Sequence, residues 1–175
     1  PKRGVDFVEC LSEANDPIGE VHEVIDAIQP RLGVRGGFAA IAIDTMSELV
    51  DRDFKWGCDP NGGHWPVKYA THYRMLYDRV KGLVRRLARC GVIVVATFHE
   101  QDPQSIEGKF KPGGLKLPGQ LVKDLPSLFD FVIRCGLDAG PNGEERAVFR
   151  CNRLDSEFVT GDRYVYEQRP DSRTR

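Results

Sequence analysis

Phe38-Ala39-Ala40-Ile41-Ala42-Ile43-Asp44-Thr45 is the stretch on which the reading of the whole chain turns. Six consecutive apolar residues, entered through Gly36-Gly37 and left through an aspartate, form the pattern of a short strand buried on both faces of a parallel sheet. Val92-Ile93-Val94-Val95-Ala96-Thr97-Phe98 repeats that pattern and ends in His99-Glu100. Between them, Val67 to Cys90 carries Tyr69, Tyr73, Leu76, Val80, Leu83, Val84 and Leu87 at helical spacing, with Arg74, Arg79, Lys81, Arg85 and Arg89 mostly elsewhere and Gly91 as a stop. Two apolar strands joined through a helix predict a parallel crossover unit.

Outward from this unit the signals are local. Val5-Asp6-Phe7-Val8-Glu9-Cys10 alternates as a strand does. Asn15-Asp16-Pro17 offers a cap and a proline for the first helical position, and Val21, Val24, Ile25 and Ile28 follow on one helix face until Pro30 and Gly33. The stretch from Arg52 to Pro66 is rich in Gly, Asp, Asn and aromatics and reads as a surface insertion. Gln101 to Leu117, with three glycines and two prolines, reads as a long functional loop. Asp130 to Cys135 predicts a third strand, and Asp138 to Gly143 a turn into Arg146 to Cys151, hence a C-terminal β-hairpin. The expected fold is α/β, a layered arrangement with a mostly parallel central sheet and helices on both faces. One domain is expected over residues 1–168, with 169–175 as a disordered tail.

With 175 residues, 41% hydrophobic and 29% charged, the chain can bury a substantial core. Lys plus Arg (25) nearly balances Asp plus Glu (26), so a net charge of -1 gives no whole-molecule attraction for polyanions and any such site must be a local patch. No stretch approaches the roughly 20 apolar residues that span a bilayer, and a soluble, cytoplasmic protein without a membrane partner is expected. The five cysteines, Cys10, Cys58, Cys90, Cys135 and Cys151, are odd in number and widely spaced, unlike a secreted disulfide framework.

Ligands of α/β folds bind at the carboxyl ends of the strands, where Asp44, Thr45, His99 and Glu100 are expected. Taken alone, Asp44 is better explained by strand-end capping than by chemistry, since an apolar strand ending in Asp is common in every α/β fold. Cys58, His64 and His72 fit no zinc spacing. His99-Glu100 makes a poor acid/base pair because adjacent strand residues point to opposite faces. Trp56 and Trp65 suit either base stacking or packing of their own loop, whereas for the arginines of the long helix a solvated face with ion pairs is a commoner explanation than nucleic-acid binding.

In their order and spacing, Ile41 to Leu49, Val92 to Glu100, Leu115-Lys116-Leu117-Pro118-Gly119 and Leu128 to Arg134 resemble the downstream half of the RecA-like P-loop ATPase core. More narrowly, residues 38 to 165 resemble phage-encoded AAA-type nucleotide-binding proteins, including the Sak-type single-strand annealing ATPases. The resemblance implies ATP and Mg²⁺ as cofactors, with Asp44 as the Mg²⁺-side carboxylate, Thr45 as its hydroxyl neighbour and His99 as a polar sensor of the γ-phosphate. It implies single-stranded DNA as partner, contacted by Lys109, Lys111 and Lys116, and a homo-oligomer with nucleotide sites between subunits, to which Arg153 or Arg163 would reach. It also implies a bacterial host cell. The phosphate-cradling G-x-x-x-x-G-K-[ST] pattern does not occur in the sequence. The chain is therefore expected to be a portion whose phosphate loop lies upstream of Pro1, with ATPase activity if that region is supplied. The alternative is a degenerate, non-hydrolysing relative that serves as a DNA-annealing or assembly partner. A hydrolase of another class ranks behind both, for want of a nucleophile.

Overall fold

The computed structural model describes residues 16–59, 63–65, 69–101, 104–106, 109–111, 114–139, 142–150 and 161–162. The strand expected at Val5–Cys10, Arg153, Arg163 and the tail 169–175 lie outside the described residues. The chain is mixed α/β and divides into two compact units, one spanning Pro1–His99 with Lys116–Leu121, the other Glu100–Leu115 with Val122–Arg175. The sequence reading had expected one continuous core.

Three helices build the first unit. Helix α1 (Pro17–Ile28) starts as its sequence directs: the Asp16 carboxylate accepts from Gly19 N at 2.8 Å, and Pro17 occupies a position whose missing N–H would have no helical partner. A short 3₁₀ turn, Gln29–Arg31, ends it. Helix α2 (Met46–Cys58) runs well into the segment expected to be a surface insertion. Its buried face carries Met46, Leu49, Val50, Asp53 and Gly57, so the last two turns put an acid and a glycine where apolar residues would have signalled a helix. Gly57 is required by packing: a Cβ there would lie 2.2 Å from the Trp65 ring. Helix α3 (Tyr69–Ala88) buries Leu76, Val80, Leu83, Val84 and Leu87, matching the predicted stripe. Gly91, at φ +68°, then takes the left-handed conformation that ends it at little steric cost. Burying each of these aliphatic side chains contributes roughly 1.5–3 kcal/mol.

One ion cluster joins the three helices. Arg79 of α3 grips Asp53 of α2 with two bonds, Nε to Oδ2 at 2.9 Å and Nη2 to Oδ1 at 2.7 Å, and also reaches the Asp16 carboxylate. Asp53 Oδ1 lies 3.3 Å from Ile18 N in the first turn of α1 and accepts from it. The Asp53 side chain is 0% exposed. Burial alone would lower the Arg79 pKa; hydrogen bonds to Asp53 and Asp16 more than offset this and raise it above the ordinary arginine value.

Strands β1 (Ala40–Ile43) and β2 (Ile93–Ala96) pair in parallel, from Ala40 opposite Ile93 to Ile43 opposite Ala96. The pairing agrees with the sequence reading, but burial on both faces does not. Exposure alternates along both strands, and Ile93 (67%) and Val95 (49%) face solvent. Among the described residues the parallel sheet has only these two strands.

In the second unit, the stretch read as a long loop is paired β-structure. Strands β3 (Glu100–Gln101), β4 (Gln104–Ile106), β5 (Lys109–Lys111) and β6 (Gly114–Leu115) keep one antiparallel register from Glu100 opposite Leu115 to Ile106 opposite Lys109, leaving Glu107 and Gly108 between the strands. The glycines and prolines that suggested a loop hide the pairing. A short helix, α4 (Leu121–Asp124), leads to β7 (Phe131–Val132), which pairs with β10 (Gly161–Asp162). The expected C-terminal hairpin is present as β8 (Arg134–Ala139) and β9 (Glu145–Arg150). Every other sheet among the described residues is antiparallel and two-stranded, so they do not build the mostly parallel layered sheet that was expected. No helix of the described residues is long and apolar enough to cross a membrane.

Two stability measurements check this account. Asp53→Asn leaves Arg79 without its buried carboxylate and is expected to lower the unfolding free energy by about 3 kcal/mol in chemical denaturation, against about 1 kcal/mol for the capping change Asp16→Ala. The second concerns His22, whose Nδ1 accepts from Arg86 Nη1 at 2.9 Å, a bond open only to neutral imidazole. Desolvation first, then the Arg86 and Arg79 charges, lower the His22 pKa from 6.5, against opposing contributions from Asp16 and Asp26. Because the folded value lies below the unfolded one, stability is full above pH 6.5 and falls as pH drops through the lowered value. Denaturation midpoints across that range should show a step that His22→Gln removes.

Candidate functional site

The parallel pairing of β1 and β2 brings the residues following each strand together. Thr97 is fixed from both sides: its N–H donates to Ile43 O at 3.0 Å and its carbonyl accepts from Met46 N at 2.9 Å. Its hydroxyl thereby reaches Asp44, donating to Oδ1 at 2.5 Å. Asp44 is exposed, with one carboxylate oxygen oriented by a hydroxyl. The Asp44–Thr45 peptide is cis.

Thr45 is the N-cap of α2, its Oγ1 accepting from Glu48 N at 3.1 Å. The Glu48 side chain turns to Arg52 at 3.1 Å, so only half of the reciprocal capping box implied by Thr45-x-x-Glu48 is made. The Thr45 hydroxyl remains a donor toward solvent or ligand. His99 is exposed, but its backbone is held: N–H donates to Ser47 Oγ at 3.1 Å, and the carbonyl accepts from Lys116 N at 2.8 Å. Asp44, Thr45 and Thr97 thus form one group at the strand ends, while Ser47 ties His99 and Lys116 to the first turn of α2.

Lys116 belongs to the first unit and its side chain is exposed. Lys109 and Lys111 lie in β5 of the second unit, opposite Ile106 and Gln104 respectively. Thr97 and Ser47 are the contributors that the sequence reading passed over. Thr97 becomes visible once β1 and β2 are aligned, since the residue after Ala96 must lie beside the residue after Ile43. Ser47 carries no such signal.

Metal chemistry at this group is limited in kind. Among the described residues no three His, Cys, Asp or Glu side chains gather to hold an ion. Cys58 and His64 belong to no such group; burial pushes the Cys58 thiol pKa up, and His64 stacks on Trp56 with ring centroids 4.3 Å apart. Trp65 is buried and meets Phe54 edge-on at 6.3 Å, so it packs its own unit. A lone exposed carboxylate flanked by hydroxyls does fit Mg²⁺, which keeps most of its water shell and takes few protein ligands.

Comparison of the chain with protein-family models, curated proteins and solved structures finds no match.

Ser47→Ala would leave the His99 amide without its acceptor. The expected result is a loss of about 1 kcal/mol in stability and faster hydrogen exchange at His99, with exchange in the α3 interior unchanged.

Proposed function

We propose that the chain carries the Mg²⁺-side half of a RecA-like nucleotide site, within an ATPase that acts on single-stranded DNA. The observation that carries this reading is the exposed Asp44 carboxylate at the carboxyl end of β1, oriented by a hydroxyl from the adjacent parallel strand β2. Strand ends of this kind are where α/β folds place their ligands. The exposure of Ile93 and Val95 on β2 supports a fuller layered fold, with more strands in the parallel sheet and helices on both faces.

In this reading Mg²⁺ supplies charge neutralisation at the phosphates. Asp44 holds a water of the ion's shell, and Thr97 keeps one carboxylate oxygen fixed so that the other faces that water. Thr45, which caps α2 through its oxygen, would be the hydroxyl neighbour of Asp44 at that shell. His99, at the end of β2, is the polar group that meets the terminal phosphate. Lys109, Lys111 and Lys116 contact the DNA backbone, and a homo-oligomer shares nucleotide sites between subunits. The second reading, a non-hydrolysing module for annealing or assembly, draws on the absence of a G-x-x-x-x-G-K-[ST] pattern from the 175 residues.

Thermal unfolding with ATP and Mg²⁺ tests the site, and phosphate release separates the two readings. Ligand at a hundredfold over its dissociation constant should stabilise the chain by about 2.7 kcal/mol, and Asp44→Ala should remove the Mg²⁺-dependent part of that shift. Absence of any shift, or a shift indifferent to Asp44→Ala, sinks the proposal. Phosphate release stimulated by single-stranded DNA selects the ATPase, and binding without release selects the second reading.

A further inference from the structure

The outer face of α3 combines charge and aromatic surface that the nucleotide site does not use. Arg74 and Arg85 are exposed on it and Arg89 is exposed in the turn just after it, and among the described residues none of the three is engaged in an ion pair. Asp78 is the one acid that α3 places there, and Gly82, with nothing within 4 Å of where a Cβ would lie, leaves the face open. Lys81 is held against Tyr77, its ammonium 2.7 Å from the phenol oxygen and 4.5 Å from the ring centroid. Lys81 and Arg85 therefore follow one another at a four-residue interval, about 6 Å along the helix, close to the separation of successive phosphates in an extended strand, and Arg89 follows in the turn that succeeds α3. At the N-terminal end of this row, Tyr73, Arg74 and Tyr77 line one side of a shallow cavity of about 250 Å³, with Pro118–Leu121 on the other. Tyr73 is partly exposed and backed by Phe54, stacked at 5.1 Å.

We propose that this face binds a single-stranded polynucleotide, its phosphates along Lys81, Arg85 and Arg89 and a base in the tyrosine-lined cavity. With a net charge of -1, whole-molecule attraction cannot supply the affinity, so a local cationic row must. Sequence-independent strand binding needs two components, cations that track the backbone and aromatic faces on which bases stack. Both are present on one helix, and the tyrosine is preorganised by the ring behind it. This proposal uses none of Lys109, Lys111 or Lys116 and does not depend on Asp44 being a nucleotide ligand.

The test is fluorescence anisotropy of labelled oligothymidylate and oligouridylate with the 175-residue chain, in EDTA without nucleotide, across a salt series. Arg85→Gln with Arg89→Gln should weaken binding about tenfold and flatten the slope of log affinity against log salt by roughly 1.4, two contacts at about 0.7 each on a single strand. Both residues are exposed, so folding is preserved. Replacing both with lysine should keep the slope, and Tyr73→Leu should weaken binding while leaving the slope intact. The preference between the two oligonucleotides identifies the sugar, and binding of either supports the proposal. Unchanged affinity and slope in the glutamine pair overturns it. So does an equal loss from Arg35→Gln with Lys55→Gln, elsewhere on the surface, or equal affinity for polyglutamate, which would mark an acidic-protein partner or diffuse charge. Because ATP and Mg²⁺ are absent, failure here is distinguishable from failure of the nucleotide site.

Discussion

The grip of Arg79 on Asp53, extended to Asp16, is the constraint on which the first unit depends. Apolar stripes on α1, α2 and α3 would hold the helices together but tolerate rotation and sliding, since hydrophobic contact has no direction. A guanidinium that makes two parallel bonds to one carboxylate accepts only one orientation, and here it meets a second carboxylate at the start of α1. Asp53 also takes the Ile18 N–H, so the same buried oxygen that fixes α2 against α3 satisfies an unpaired donor of α1. The cluster's net contribution to stability is modest because two charges lose water; its effect is to select one packing among several that the apolar residues permit.

That packing determines where the strand ends lie. Helix α2 begins directly after Asp44-Thr45, and Thr45 serves as its cap, so the position of α2 sets the direction in which the chain leaves β1. Ser47, in the first turn of α2, holds the backbone that follows β2. The Asp44 and Thr97 pair is thus supported by a rigid helix start on one side and a parallel strand on the other. Such support favours a preorganised ligand group over a mobile one.

Much of this was legible in the sequence where one physical signal dominated. Asp16-Pro17 announced α1, the spacing from Leu76 to Leu87 announced α3, and two apolar runs joined by that helix announced a parallel pair. Legibility failed where a residue served tertiary contact against its local pattern. Asp53 and Gly57 occupy the buried face of α2 for an arginine and a tryptophan that arrive later in the chain, so periodicity vanished and the helix read as a loop. The hairpin from Glu100 to Leu115 was obscured by Gly and Pro, although its pairing is set by register. The site was half visible: Asp44 and His99 follow from strand ends, whereas Thr97 requires the alignment of two strands, and Ser47 requires the fold.

The parallel pairing of β1 with β2 also orders the events of assembly. Ile43 and Ala96 meet across the whole stretch from Asp44 to Val95, so their ladder can close only after that segment has been shortened by forming α2 and α3 and docking them. The hairpin between Glu100 and Leu115, with two residues between its inner strands, closes locally on a timescale of about 1–10 μs. The hairpin therefore forms early, and the Asp44 carboxylate reaches its place beside Thr97 only when the helices between the two strands have docked.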